Sequence, residues 1–250
     1  MAKRKYTSPC YFCGGQACTD EHAPPKQMFK SFSCDSITVP SCEEHNSSKG
    51  GHDQAIVNAF LIPLHNAKNR YRLEKEILAA MKVAEPSFER TKRRAIDSPL
   101  LKNPSDSLKD LPNLVYLVPC IDIRTWVRQL TPAMIFDGTN NFDSEIKWSE
   151  SKTCSAGWIA KDPSPIEPEQ AKSILQKKRE TEERLELLNW QDGWSARPRS
   201  YPSIIYFFQI HFEPNNEVIF RHRFYNRYTW YVRFSASGET VSKLKNKITT

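Results

Sequence analysis

Two ligand pairs at the same short spacing, Cys10-x-x-Cys13 and Cys42-x-x-His45, constrain this chain more than any other feature of its sequence. Two side chains so spaced can reach a single ion from one turn, and three thiolates with one imidazole make a tetrahedral zinc site. Four protein ligands leave no open position. Such a zinc is structural, and its binding free energy is folding free energy for a segment too short to bury much apolar surface. Of the seven cysteines, five lie within the first 42 residues. An odd number, with Cys-x-x-Cys spacing, reads in a reducing compartment as metal chemistry rather than as a disulfide framework. Cys18 and Cys34 stand outside the pairing and read as small buried residues.

The residues around the pairs set a second expectation. In "PSCEEHNSSKG" Ser41 as N-cap and Glu44 make a capping box, which predicts a helix from Cys42 to about Gly50 or Gly51. On that helix Cys42, His45, Asn46 and Lys49 share one face. Burying so polar a face without partners costs a few kcal/mol per group, so it is not ordinary core. Upstream, "CTDEH" and "SITVP" read as two short strands, with Pro24 and Pro25 ending the first. Strand, loop, strand and helix put Glu21-His22 opposite the helix start. There the imidazole, with an ordinary pKa of about 6.5, could activate water, while Glu21 and Asn46 supply hard oxygen ligands to a divalent cation such as Mg²⁺.

The remainder of the chain reads as follows. Its 250 residues, 39% apolar, hold one large domain or two small ones, and a net charge of +7 favours a polyanionic partner, most simply nucleic acid. No apolar stretch follows the basic "MAKRKYTSPC", and no run approaches the roughly 18 apolar residues of a membrane span, so a cytoplasmic protein with no membrane partner is expected. Only eight glycines are present, and no phosphate-binding, dinucleotide-binding or nucleophile-elbow motif occurs. Nucleotide-driven motors, dinucleotide enzymes and serine hydrolases are thereby disfavoured.

The expected fold class is α+β, in three parts. Residues 1–65 form the Cys/His module. Residues 66–113 carry a connecting helix, with Tyr71, Leu73, Ile77, Leu78 and Met81 at near-helical spacing, and then a basic linker. Its Arg90, Lys92, Arg93 and Arg94 either touch phosphates or form a solvated loop. Residues 114–250 form an α+β half containing a long charged helix from Pro168 and three aromatic, β-branched strands in an antiparallel meander. In the middle strand Val218, Phe220, His222 and Phe224 alternate with Ile219, Arg221 and Arg223. One face therefore packs and the other is mostly basic, with Arg233 joining it, as a nucleic-acid platform or a solvated surface. His211 and His222 read as partly buried strand residues.

These residues resemble the HNH endonucleases with the ββα-metal fold. The likeness rests on the knuckle Cys10 and Cys13, on Glu21-His22 followed by Pro25, and on Cys42-x-x-His45 followed by Asn46 and Lys49. It covers about a fifth of the chain, and "EHAPPKQMF … VPSCEEHN" looks like an uncharacterised bacterial subgroup. The resemblance implies metal-dependent phosphodiester hydrolysis, with His22 as general base, Glu21 and Asn46 holding Mg²⁺ or Mn²⁺, and Lys49 on a phosphate. DNA is the first substrate implied, with RNA, including tRNA, as the alternative. By analogy, such a protein is an effector in antiviral defence gated by a partner ATPase or sensor. A non-catalytic, zinc-stapled nucleic-acid-binding or adaptor module is the competing class. The sequence departs from the family at two points. His45 stands where most members have Cys, and "SFSCDSITVP" lacks the middle Asn or His, so that Asp35, Ser36 or Thr38 has to substitute.

Overall fold

The computed structural model describes residues 7–29, 37–47, 123–148, 183–194, 205–226 and 228–249, together with residues 53, 54, 56–58, 60, 61, 75, 77–83, 86, 176, 180 and 181. Helix and antiparallel sheet are both present, as the α+β reading expects. The two predicted N-terminal strands are β1, Thr19–Ala23, and β2, Ile37–Ser41, paired antiparallel with His22 opposite Thr38 and Glu21 opposite Val39. A 3-10 turn, Lys26–Phe29, follows β1, and helix α1, Glu43–Ser47, follows β2.

Helix α1 starts one residue later than expected, and its cap is different. Ser41 stays in β2, pairs with Thr19 and donates its hydroxyl to the Cys42 carbonyl, so it does not close a capping box. Cys42 takes the cap position instead, its carbonyl accepting the first helical bond from the Asn46 amide at 3.1 Å. Where the helix ends lies outside the described residues.

Helix α2, Ile123–Thr139, follows. Val127, Ala133 and Met134 on it are wholly buried, and Pro132 sits inside it without ending it. Proline at this position removes one hydrogen bond of the helix, a cost offset here by burial on several sides. The second sheet has the order β3-β7-β6-β5-β4, where β3 is Lys147–Trp148, β4 Gln191–Asp192, β5 Tyr206–Phe212, β6 Glu217–Phe224 and β7 Tyr228–Ser235. Its middle is the predicted meander. The turns take the left-handed conformation at Asn215 and Asn216 and again at Tyr225 and Asn226, consistent with tight connections between adjacent antiparallel strands. The flanking strands β3 and β4 are two residues each, too short for a period-two signal. The sheet ends in helix α3, Gly238–Thr249, which the expected architecture lacked.

One face of this sheet meets α2. His222, 0% exposed, lies between two hydroxyls: Tyr206 at 2.9 Å from Nδ1 and Thr131 of α2 at 3.0 Å from Nε2. Because Thr131 donates its own proton to the Val127 carbonyl, it accepts from His222 Nε2, and Nδ1 accepts from Tyr206. The expected partly buried histidine is thus fully buried, and burial pushes its pKa down to about 3.

The other face is not the basic surface expected. Arg221 is 7% exposed, lies over Trp190 at 4.6 Å, and donates to Glu186 at 2.6 Å and to Gln209. Leu185, Ile219 and Tyr231 pack beside it. Segment 183–190 therefore covers that face, and the strand alternation could not reveal a cover arriving from elsewhere in the sequence.

A single hydrophobic cluster contains Met28, Val39 and Phe60 as well as Val127, Phe208 and Phe224. Phe60 stacks on Phe224 at 5.0 Å, and its carbonyl accepts a bond from the Tyr228 hydroxyl at 3.1 Å. Among the described residues, no helix is long and apolar enough to cross a membrane.

Candidate metal centre

The first ligand pair is set by a tight backbone turn. The Cys10 amide donates to the Gly15 carbonyl at 2.7 Å, and the Gly14 amide donates to the Cys10 carbonyl at 2.9 Å. Gly14 is required twice over. Its φ is +72°, and a Cβ there would stand 2.5 Å from Phe142, the aromatic that follows α2. The knuckle is fastened to the hairpin by the amides of Tyr11 and Cys18, which donate to the carbonyls of Pro40 and Ser41. These bonds bring the first turn beside the residue where β2 passes into α1, and so beside Cys42 and His45.

The four predicted ligands meet. Cys10 Sγ, Cys13 Sγ, Cys42 Sγ and a ring nitrogen of His45 all lie within 4.8 Å of one another. Cys13 Sγ is 3.9 Å from Cys42 Sγ, and His45 Nδ1 is 4.0 Å from Cys10 Sγ and 3.0 Å from Cys42 Sγ. A tetrahedral zinc with ordinary bond lengths needs edges of roughly 3.8 Å between sulfurs and 3.5 Å between sulfur and nitrogen. The separations bracket those values, so the donor set fits a divalent metal such as zinc. Burial pushes the Cys10 thiol up, but backbone amides of Cys13, Phe12 and Cys42 outweigh it and hold the thiol below its usual range. That favours the thiolate a metal needs. Phe12 lies against the His45 ring at 4.6 Å. Cys18 stays outside the cluster and is exposed, not buried as expected.

A second constellation lies on the hairpin. The Asn46 amide nitrogen donates to Thr19 Oγ1 at 2.8 Å and to the Asp20 carbonyl at 3.1 Å. Both partners must accept, since the Thr19 hydroxyl spends its proton on the Ser41 carbonyl. This fixes which end of the amide faces β1 and turns Oδ1 away from the strand. Thr19 and Glu21 are two apart on β1 and share a face, so Asn46 and Glu21 belong to the same side of the hairpin. The Tyr11 hydroxyl, whose pKa burial and the Glu21 charge push far up, hydrogen-bonds Glu21. His22 points to the opposite side, where Thr38 Oγ1 is 3.3 Å from its Nδ1. Burial first, then Lys26, lowers the His22 pKa against the pull of Asp20 and Glu21, which keeps the ring neutral at pH 7.

Of the other predicted site residues, Lys49, Arg90, Lys92, Arg93 and Arg94, with Cys34, lie outside the described residues. Arg221 is engaged by Glu186 and Gln209, and Arg223 is half-buried over Phe207 at 5.4 Å. Arg233 pairs with Glu213 at 3.0 Å and Glu217 at 3.6 Å, and His211 Nδ1 bonds the Asn189 carbonyl. Sequence reasoning missed Tyr11 and Phe142. Both are single aromatics, whose roles depend on contacts with distant residues. Comparison with protein-family models, curated proteins and solved structures finds no match to this chain.

Proposed function

We propose that the protein is a metal-dependent endonuclease of the HNH type that hydrolyses phosphodiester bonds, in DNA first. In this reading Cys10, Cys13, Cys42 and His45 hold a structural Zn²⁺. His22 is the general base, Glu21 and Asn46 hold a catalytic Mg²⁺ or Mn²⁺, and Lys49 meets a phosphate. The observation that carries it is Asn46: its nitrogen donates to Thr19 and to the Asp20 carbonyl of β1, which leaves Oδ1 as its acceptor atom, and it follows directly on a metal ligand. A bound divalent ion would supply charge stabilisation at the scissile phosphate and leaving oxygen. The base and the ion ligands lie on opposite faces of β1, so the backbone of the substrate would be taken along the outer edge of that strand. No third strand pairs there among the described residues. Arg221 contributes nothing to this reading, because its guanidinium is already paired.

The Tyr11 bond to Glu21 favours a second reading, a zinc-stapled nucleic-acid-binding or adaptor module in which Glu21 is structural. The two are separated by incubating the protein and its His22→Ala variant with supercoiled plasmid and with total RNA, in Mg²⁺, Mn²⁺ or chelator. The nuclease reading expects ion-dependent cutting by the parent alone, and the polymer consumed decides DNA against RNA. Binding without cutting of either polymer selects the adaptor.

A further inference from the structure

We infer that the metal cluster is also an oxidation site, opened at its exposed corner: a peroxide joins Cys13 and Cys42 in a disulfide, and the ion is released. The inference rests on the reading of Cys10, Cys13, Cys42 and His45 as a zinc site, and is independent of the nuclease reading. Zinc has no redox chemistry of its own, so oxidation of such a site falls on its sulfurs.

The four donors are unequally protected. Cys10 is 0% exposed, and backbone amides of Cys13, Phe12 and Cys42 bond to its sulfur. The Phe12 ring lies against the His45 ring. Cys42 is half-buried before α1, whereas Cys13 is exposed, in the turn that carries the first pair. A metal-bound cysteine is a thiolate, and the thiolate that solvent reaches is the one a small oxidant attacks first. A second sulfur is in place to complete the reaction. Cys42 Sγ is 3.9 Å from Cys13 Sγ, and a disulfide requires the two to close by about 2 Å more. The Cys13 sulfur attacks one oxygen of hydrogen peroxide, the O–O bond breaks, and a sulfenic acid forms as hydroxide leaves. The Cys42 thiolate then displaces a second hydroxide from that sulfur and forms the S–S bond. The peroxide gains the two electrons that the sulfurs lose. Cys10 and His45 alone do not make a tetrahedral site, so the ion departs. Its departure also releases His45, whose neighbour Asn46 ties α1 to Thr19 and Asp20.

The test uses the full chain, loaded with zinc, freed of reductant and treated with graded hydrogen peroxide. A chromogenic chelator reads zinc release, remaining thiols are titrated, and mass spectrometry of a digest maps the linkages. The parent is expected to release about one zinc per chain for about two thiols lost, with Cys13 joined to Cys42. A dithiol reductant followed by fresh zinc should restore the site, since a disulfide is reversible where higher oxidation is not. Cys13→His keeps four donors without the exposed sulfur, and should hold its zinc at doses that strip the parent. Cys18→Ser removes an exposed thiol outside the cluster, and should release zinc as the parent does. Zinc retained by the treated parent, a linkage other than Cys13 to Cys42, or release from Cys13→His at the parental dose overturns the proposal and leaves the zinc reading standing. A parent that takes up no zinc overturns both. Where Cys13→His itself takes up no zinc, the linkage map of the parent decides.

Discussion

Acid should weaken this fold through the buried imidazole of His222 before the shifted carboxylates take part. His222 is fully buried between the Tyr206 and Thr131 hydroxyls, and its folded pKa is lowered to about 3. In the unfolded chain the same group titrates near 6.5. Below about pH 6.5 the unfolded state therefore binds a proton that the folded state refuses. Stability is complete above that value and declines as pH falls toward 3. Linkage puts the loss at about 2 kcal/mol by pH 5, a large share of the stability of an ordinary domain. Asp143 and Glu186 are also shifted, but downward from carboxylate values, so their losses begin at lower pH. The clean comparison is His222→Gln, which can accept from Tyr206 through its oxygen and donate to Thr131 through its nitrogen without titrating. Urea unfolding followed by tryptophan fluorescence would be run on both proteins from pH 7.5 to pH 5. Whatever packing difference exists at pH 7.5, the parent should lose about 2 kcal/mol more than the variant over this range. Metal loss and carboxylate protonation are common to the two and cancel. Parallel stability curves would refute the buried, neutral histidine.

Three further outcomes follow from the geometry. Cys42→Ala should leave a three-ligand site, and metal analysis of the purified variant should show the bound zinc falling below one per chain, with a lower thermal midpoint. Gly14→Ala should destabilise by roughly 2 kcal/mol through its left-handed backbone and the contact with Phe142, and Phe142→Ala in the same chain should recover part of that loss in a double-mutant cycle. Ser237 caps α3 by accepting from the Thr240 amide at 3.2 Å and is itself bound by Asp143, so Ser237→Ala should cost about 1 kcal/mol in chemical denaturation.

What could be read from the sequence was what is local. Cys10, Cys13, Cys42 and His45 were recognisable because a turn fixes the distance between ligands three positions apart, and the two pairs had the same spacing. The strands around Ile210, Phe220 and Trp230 were recognisable because aromatic and branched residues recur there over seven or eight positions. Helix α3 carried a readable signal, Val241 and Leu244 after a serine cap, but its charged residues hid a narrow apolar stripe. Arg221 was legible only as one of an alternating series. Its burial depends on Trp190 and Glu186, thirty or so positions away, and no local pattern encodes such a meeting. The same holds for Phe142 over Gly14 and for Tyr11 against Glu21.

The stacking of Phe60 on Phe224 bears on how this protein can be dissected. The ligand-rich opening stretch is not a portable cassette. Cut loose, it would carry into water the apolar side of Phe60, which in the whole chain packs against Trp126, Phe224 and Tyr228. A fragment ending near residue 65 is expected to need a surrogate surface to stay soluble. By the same reasoning, transplanting these ligands onto another scaffold should succeed only where that scaffold offers an aromatic floor of its own.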